Sequence, residues 1–305
     1  MSFSSNCKAE LCRIPIMRRS AAVAESYGVL LYCNTFSPHL IRIVTESEDF
    51  TARLPRLFKK AFGVEFDTLP DGASGGKQIF LIESQEKIAH IFSAFGVSAK
   101  SSVALHVNFG VLEEDADRFA FLRGAFLMAG TVAGPDKKSH LELTTSHASL
   151  AGEQMSLLLD LHLFPKQTER RSVHVLYFKD GASVEDFLTT IGAPQSAMEL
   201  MEAKVEKNLR NTINRQVNCE TANLMKTTGA SARQVAAITA ALNSHGDTFF
   251  PENLRETVRL RLQYPADSLS ELAARFDPPI SKPGLSHRLK KITERALECT
   301  LREEA

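Results

Sequence analysis

FLRGAFLMAGTVAGPDKKSHLEL, residues 121–143, begins as an apolar helix and breaks at Gly130. It then loops through Pro135 and re-emerges from Leu141 as a strand with period-two alternation. The same order occurs about one hundred residues earlier. YGVLLYCN at 27–34 is an apolar helical segment, followed by a loop with Pro38 and the alternating run LIRIVTES from Leu40. A period of that size is read as a duplication before anything else is decided.

The remaining elements keep the offset. Helices follow as DFTARLPRLFKKAFG and SLAGEQMSLLLDLHL. Strands come next, KQIFLIES from Lys77 and SVHVLYFKD from Ser172, and short helices close each half, KIAHIFSAFG and VEDFLTTIG. A further strand is predicted between the halves, SVALHVNFG from Ser102. The expected unit is helix–strand–strand–helix–strand–helix, twice. Gly28 and Gly124 fall at matching places in the two apolar helices. An isolated helix glycine costs about 1 kcal/mol against Ala. Two at equivalent positions point instead to close backbone approach, with the halves related by a pseudo-twofold axis.

The bulk numbers exclude several classes. With 305 residues the chain has room for two domains. It has 36 basic and 36 acidic residues, so any nucleic-acid surface is local. No run of about 18 apolar residues predicts a membrane span, and the N-terminus lacks the apolar core of a signal peptide. Cysteines at 7, 12, 33, 219 and 299 show no paired spacing, which argues against a disulfide framework or a zinc ribbon and for the reducing cytoplasm. There is no phosphate-cradling GxxxxGK[ST], no GxGxxG and no HExxH. Cys33, read as part of the apolar helix, has no His near it in sequence, and an inert buried thiol is the common case.

The paired glycine helices and their strands resemble the LAGLIDADG homing-endonuclease fold. In that family each motif helix ends in an acid followed by Gly, and the two acids hold divalent metals. Laid over the motif, SYGVLLYCN puts Cys33 at the acid position and LRGAFLMAG puts Ala129 there, followed by Gly130. Neither side chain is the hard oxygen ligand that magnesium demands. Asp136 remains open as a displaced ligand or a turn-forming Asp after Pro135, and Glu142 is a second acid to which a relocated site could turn.

After Pro194 the texture changes. AMELMEAKVEKNLRNTINRQVNCETANLMKT reads as a long helix with Val205, Leu209, Ile213 and Val217 as an apolar stripe. Arg210, Asn211, Asn214, Arg215 and Asn218 repeat at three and four residues; they suit phosphates, the next domain or water equally. SARQVAAITAALNS is expected as a second helix opened by Ser231, and FPENLRETVRLRLQYP as a third. SLSELAARFDPPISKPGLSHRLKKITERALE then gives two short helices with a tight joint, the first opened by the capping pair Ser268 and Glu271. Between Ser281 and Leu297 the formal charge is +4, from Lys282, Arg288, Lys290, Lys291 and Arg295 against Glu294. A solvated surface helix or a recognition helix in the major groove both fit, and the capped partner and tight joint favour the second. Ser286, His287 and Arg288 are the candidates for base edges, while Ser281, Lys282, Lys290 and Lys291 are cast as backbone contacts.

From end to end the chain resembles the WhiA family of Gram-positive bacteria. The resemblance is carried by FLRGAFLMAGTV with SHLELTTS, by RNTINRQVNCETANLMKT and by SLSELAARFDPPISKPGLSHRLKKI. Pro283 departs from the small residue expected there, at a place in a first turn that tolerates proline. The resemblance implies an α+β fold: a duplicated, degenerate LAGLIDADG-like domain over 1–198, then an all-α helix-turn-helix domain over 199–305. It implies a regulator of sporulation or of cell division and chromosome segregation, in the cytoplasm at the nucleoid, without nuclease activity, cofactor or metal. Double-stranded DNA is the expected partner, with another transcription regulator or an RNA polymerase component as a further one. The competing readings are a metal-dependent endonuclease with relocated ligands and a protein-interaction adaptor. The DNA sequence and the oligomeric state are not legible.

Overall fold

A computed structural model describes residues 2–70, 76–96 and 105–303. The chain forms two compact units, Met1–Lys207 and Asn208–Ala305.

The first unit is built around two helices. After α1 (Phe3–Cys12) comes α2 (Arg19–Leu31), followed by β1 (Thr35–Phe36), β2 (Ile41–Thr45), α3 (Glu48–Phe62), β3 (Gln78–Ile82) and α4 (Gln85–Ala94). The second half repeats this order with one strand added: α5 (Asp115–Ala129), β4 (Gly130–Val132), β5 (Leu141–Thr145), α6 (Ala148–Asp160), the additional β6 (Lys166–Arg170), β7 (Val173–Phe178) and α7 (Gly181–Ile191). The first sheet is antiparallel in the order β1-β2-β3, the second in the order β4-β5-β7-β6.

The glycines decide how α2 and α5 meet. A Cβ on Gly28 would lie 2.1 Å from the Phe121 carbonyl oxygen and 2.9 Å from the Ala125 nitrogen. A Cβ on Gly124 would lie 2.1 Å from the Glu25 oxygen and 3.0 Å from the Val29 nitrogen. Adding 96 to Glu25, Gly28 and Val29 gives Phe121, Gly124 and Ala125, so each contact is the image of the other. The backbones touch across a pseudo-twofold axis because neither glycine carries a side chain. Tyr27, Val29, Leu30, Phe121, Leu122 and Phe126 bury the rest of the seam. At its far end the Arg53 guanidinium grips the Glu25 carboxylate through two bonds of 2.6 and 2.8 Å, and Arg123 Nε adds a third at 3.0 Å. Carbonyls of Cys12, Ile14 and Ile191 take the remaining donors used, so this buried charge cluster is hydrogen-bonded throughout.

Several sequence expectations need correction here. Cys33 lies beyond the end of α2 rather than within it, and Lys77 precedes β3 rather than standing on it. The strand predicted from Ser102 falls partly outside the described residues. Its described remainder, Leu105–Asn108, pairs with no strand among the described residues, and Phe109–Val111 is a 3-10 turn capped by Asn108.

The second unit is helical. One helix, α8 (Pro194–His245), runs through the place where a break at Ser231 is predicted. Ser231 opens nothing: its hydroxyl is buried and donates to the Pro265 carbonyl. Then come α9 (Glu252–Gln263), α10 (Leu269–Ala274) and α11 (Lys282–Glu303). Ile238 and Ala241 of α8 pack on Phe250, Leu254 and Val258 and on Ile292 and Ala296. A second cluster joins Leu260, Leu272, Phe276, Leu285 and Leu289, which fixes α10 and α11 to α9.

Candidate nucleic-acid interface

The tips of α2 and α5 are where a metal-dependent nuclease of this shape would hold its acids. Ala129 is the last residue of α5, and Cys33 sits just past α2, with Sγ 3.2 Å from the Thr35 carbonyl oxygen. Burial pushes the Cys33 thiol up to about 12, which removes the thiolate that a nucleophile or a ligand needs. Beside the tips, the Tyr32 hydroxyl bonds to Gln154 Oε1, an amide and a phenol bridging the two halves. Asp136 lies in the turn after Pro135. Glu142 is held by His140 Nε2 at 3.1 Å and has Arg170 Nη1 at 3.7 Å. Among the described residues no group of three or more His, Cys, Asp or Glu could hold a metal ion.

The sheets offer little positive charge. Antiparallel register puts Arg42, Val44, Ile79 and Leu81 on the outer face of the first sheet, which is mostly apolar. On the second sheet Lys166, Tyr177 and Glu142 share a row, and Arg170 stands at its edge near Glu142. His174 turns to the other face, with Nδ1 4.0 Å from Glu169.

The last helix, α11, carries the positive surface, and α10 before it fixes the joint. Ser268 Oγ accepts from Glu271 N at 3.3 Å, while Glu271 Oε2 accepts from Ser268 N at 2.8 Å, a complete capping box on α10. The next cap is Ser281, whose Oγ accepts from Gly284 N at 3.2 Å and whose carbonyl accepts from Leu285 N. Pro283 therefore stands in the first turn of α11, where its missing N–H is not needed. Leu285, Leu289, Ile292 and Ala296 point into the core at helical spacing. This turns Lys282, Ser286, His287, Lys290 and Lys291 outward, all exposed. Arg288 is half-buried at the flank, its guanidinium 5.6 Å from the Phe276 ring, a contact that holds its stem and aims its head. A cleft of about 560 Å³ between α9 and α11 is lined by Asn253, His287, Arg288, Lys291, Glu294 and Arg295.

Arg210, Asn211, Asn214 and Arg215 lie on a stretch of α8 that is exposed on every side. The apolar stripe on the same stretch is exposed too, from Val205 at 67% to Val217 at 51%. The predicted contact residues thus occupy two separate helices, α8 and α11. Sequence reasoning counted Arg295 in the charge of the helix but gave it no contact; its guanidinium lies 5.3 Å over the Phe249 ring beside the cleft. Its i+4 spacing from Lys291 was the available signal.

Fold and surface together define a two-unit protein: a duplicated, nuclease-like α+β unit whose helix tips carry no acid, and a helix-turn-helix unit with a basic second helix. The profile described as "WhiA LAGLIDADG-like domain" matches residues 118–210, and that described as "WhiA C-terminal HTH domain" matches 213–296. The chain is 35% identical to "Probable cell division protein WhiA" of Clostridium novyi (strain NT), over 100% of this chain and 99% of the relative. It is 34% identical to the protein of that name in Clostridium acetobutylicum, with the same coverage. The crystal structure of full-length DUF199/WhiA from Thermatoga maritima shares the fold at a TM-score of 0.60, with 24% identity over 98% of this chain and 99% of that one. The chain belongs to the WhiA family, as its motifs led one to expect.

Proposed function

We propose that this protein is a DNA-binding regulator of cell division and chromosome segregation, or of sporulation, and that it does not cut DNA. The observation that carries the reading is α11: a helix locked at its start by Ser281, packed by four apolar residues, and exposing His287, Lys290 and Lys291 with Arg288 at the flank. Such a helix enters a major groove with its N-terminal residues at base edges and its cations at phosphates. The curated relatives are called probable cell division proteins, which supports that role. Double-stranded DNA is the partner; Arg210, Asn211, Asn214 and Arg215 are assigned to a second contact along its backbone or to a companion regulator or polymerase component. The acid-free tips at Cys33 and Ala129 support an activity without metal or cofactor. Among the described residues no helix is long and apolar enough to cross a membrane, which fits action at the nucleoid.

The test is chromatin mapping of the bound sites, followed by gel shifts on one of them. Arg288→Ala should lose about 1–3 kcal/mol on the mapped site if it holds a guanine. Absence of enriched sites, or wild-type affinity in that variant, contradicts the reading. Supercoiled plasmid incubated with magnesium should stay intact; cutting that disappears in Asp136→Ala would make the protein a nuclease.

A further inference from the structure

The outward side of α11 changes sign along its length. Opposite the buried row Leu285, Leu289, Ile292 and Ala296 runs an exposed row of His287, Lys291, Glu294 and Glu298. Its first half is basic or titratable, with Arg288 alongside; its second half is two carboxylates. The cations beside the carboxylates are drawn aside as well. Lys290 Nζ is 3.7 Å from Glu294 Oε1, and the Arg295 guanidinium rests over Phe249.

Resting on the reading of α11 as the DNA helix, we propose that Glu294 and Glu298 are specificity-determining residues. They keep the phosphate backbone off the second half of α11, so a duplex settles only where His287, Arg288 and Lys291 meet the groove. Duplex DNA presents one negative charge per ~1.7 Å of axis, and non-specific binding is almost wholly phosphate electrostatics. A carboxylate on the contact face therefore costs most in the many sliding registers of non-specific binding. It costs least in the one register that holds phosphates away from it. The acids thus widen the gap between the right site and the rest of the genome, a use of repulsion for selectivity.

The experiment titrates the full chain and two variants against a duplex carrying a chromatin-mapped site and against a scrambled duplex of equal length, over a series of salt concentrations. In Glu294→Gln/Glu298→Gln, binding to the scrambled duplex should tighten about tenfold at low salt, with the salt slope steeper by about two. The mapped duplex should gain less, so the ratio between them falls. Glu298→Gln alone leaves the Lys290–Glu294 pair in place and should give about a threefold gain with a slope steeper by about one. Unchanged or weaker binding to the scrambled duplex, or an equal gain on both duplexes, overturns the proposal. Failure of the underlying reading looks different: the unmodified protein then prefers neither duplex. Both side chains are exposed, and unaltered melting curves are expected for both variants.

Discussion

Replacing Gly124 with Ala tests the seam on which the first unit is built. In an unconstrained helix the change gains about 1 kcal/mol, because Ala is the better helix former. Here the new methyl would sit 2.1 Å from the Glu25 carbonyl oxygen and 3.0 Å from the Val29 nitrogen, against a practical floor of 3.0 Å. Both obstacles are backbone, so no side chain can swing away. The helices must part by about 1 Å, which loosens Tyr27, Val29, Leu30 and Phe121 together. Overpacking of this kind costs about 1–3 kcal/mol, and a clash with rigid backbone belongs at or beyond the upper end. After the propensity gain, a net loss of about 2 kcal/mol or more remains, or roughly 4–8 °C in a unit of this size. Gly152 provides the control: it is a helix glycine in α6 with nothing within 4 Å of its added Cβ. Scanning calorimetry should show Gly152→Ala melting at or slightly above the unmodified protein and Gly124→Ala well below it. Equal behaviour of the two variants would refute the close-contact reasoning and the pseudo-twofold seam with it.

Other expectations follow from the local geometry. Ser268→Ala removes the bond that the Ser268 hydroxyl accepts from Glu271 N, leaves the backbone N–H to Glu271 Oε2, and should cost about 1 kcal/mol, seen as faster hydrogen exchange over 268–276; unchanged exchange there would mean that the cap does not hold the joint. The Asp67 carboxyl is held down to about 2 by Lys87 and by the Ser84 and Glu83 amides. Its unfolded value is about 3.9, so its contribution is complete above that pH and is lost as the pH falls toward 2. Asp67→Asn should therefore flatten the decline of melting temperature between about pH 4 and pH 2; an identical profile would count against the bonded geometry.

What was legible in the sequence followed from what periodicity and breakers encode. The matched glycines, the alternating strands and the capped joint at Ser268 each have a local cause, and each points to the structure found. The misses share a different trait. β6, Lys166–Arg170, is polar at every position, so no alternation marks it. Its hairpin turn uses Arg171 and Ser172 at φ 50° and 63°, without the Asn-Gly or Asp-Gly that announces such a turn. Ser231 has the composition of a helix cap, yet its hydroxyl serves a contact more than thirty residues away, which no local pattern contains. The sign change along α11 was present in the residue types. It emerges only when the buried row fixes which side faces outward, since the summed charge of +4 counts every cation of the helix alike, whichever side it stands on.

The most direct test of the DNA-reading assignment is the salt dependence of binding in Lys291→Ala, an exposed residue where the basic half of α11 ends. Fluorescence-anisotropy titrations of a labelled duplex across a range of salt concentrations give the slope of log K against log salt. The account predicts weaker binding to every duplex and a slope shallower by about one, the signature of one lost phosphate contact. An unchanged affinity and slope would place the DNA elsewhere on the molecule and contradict it.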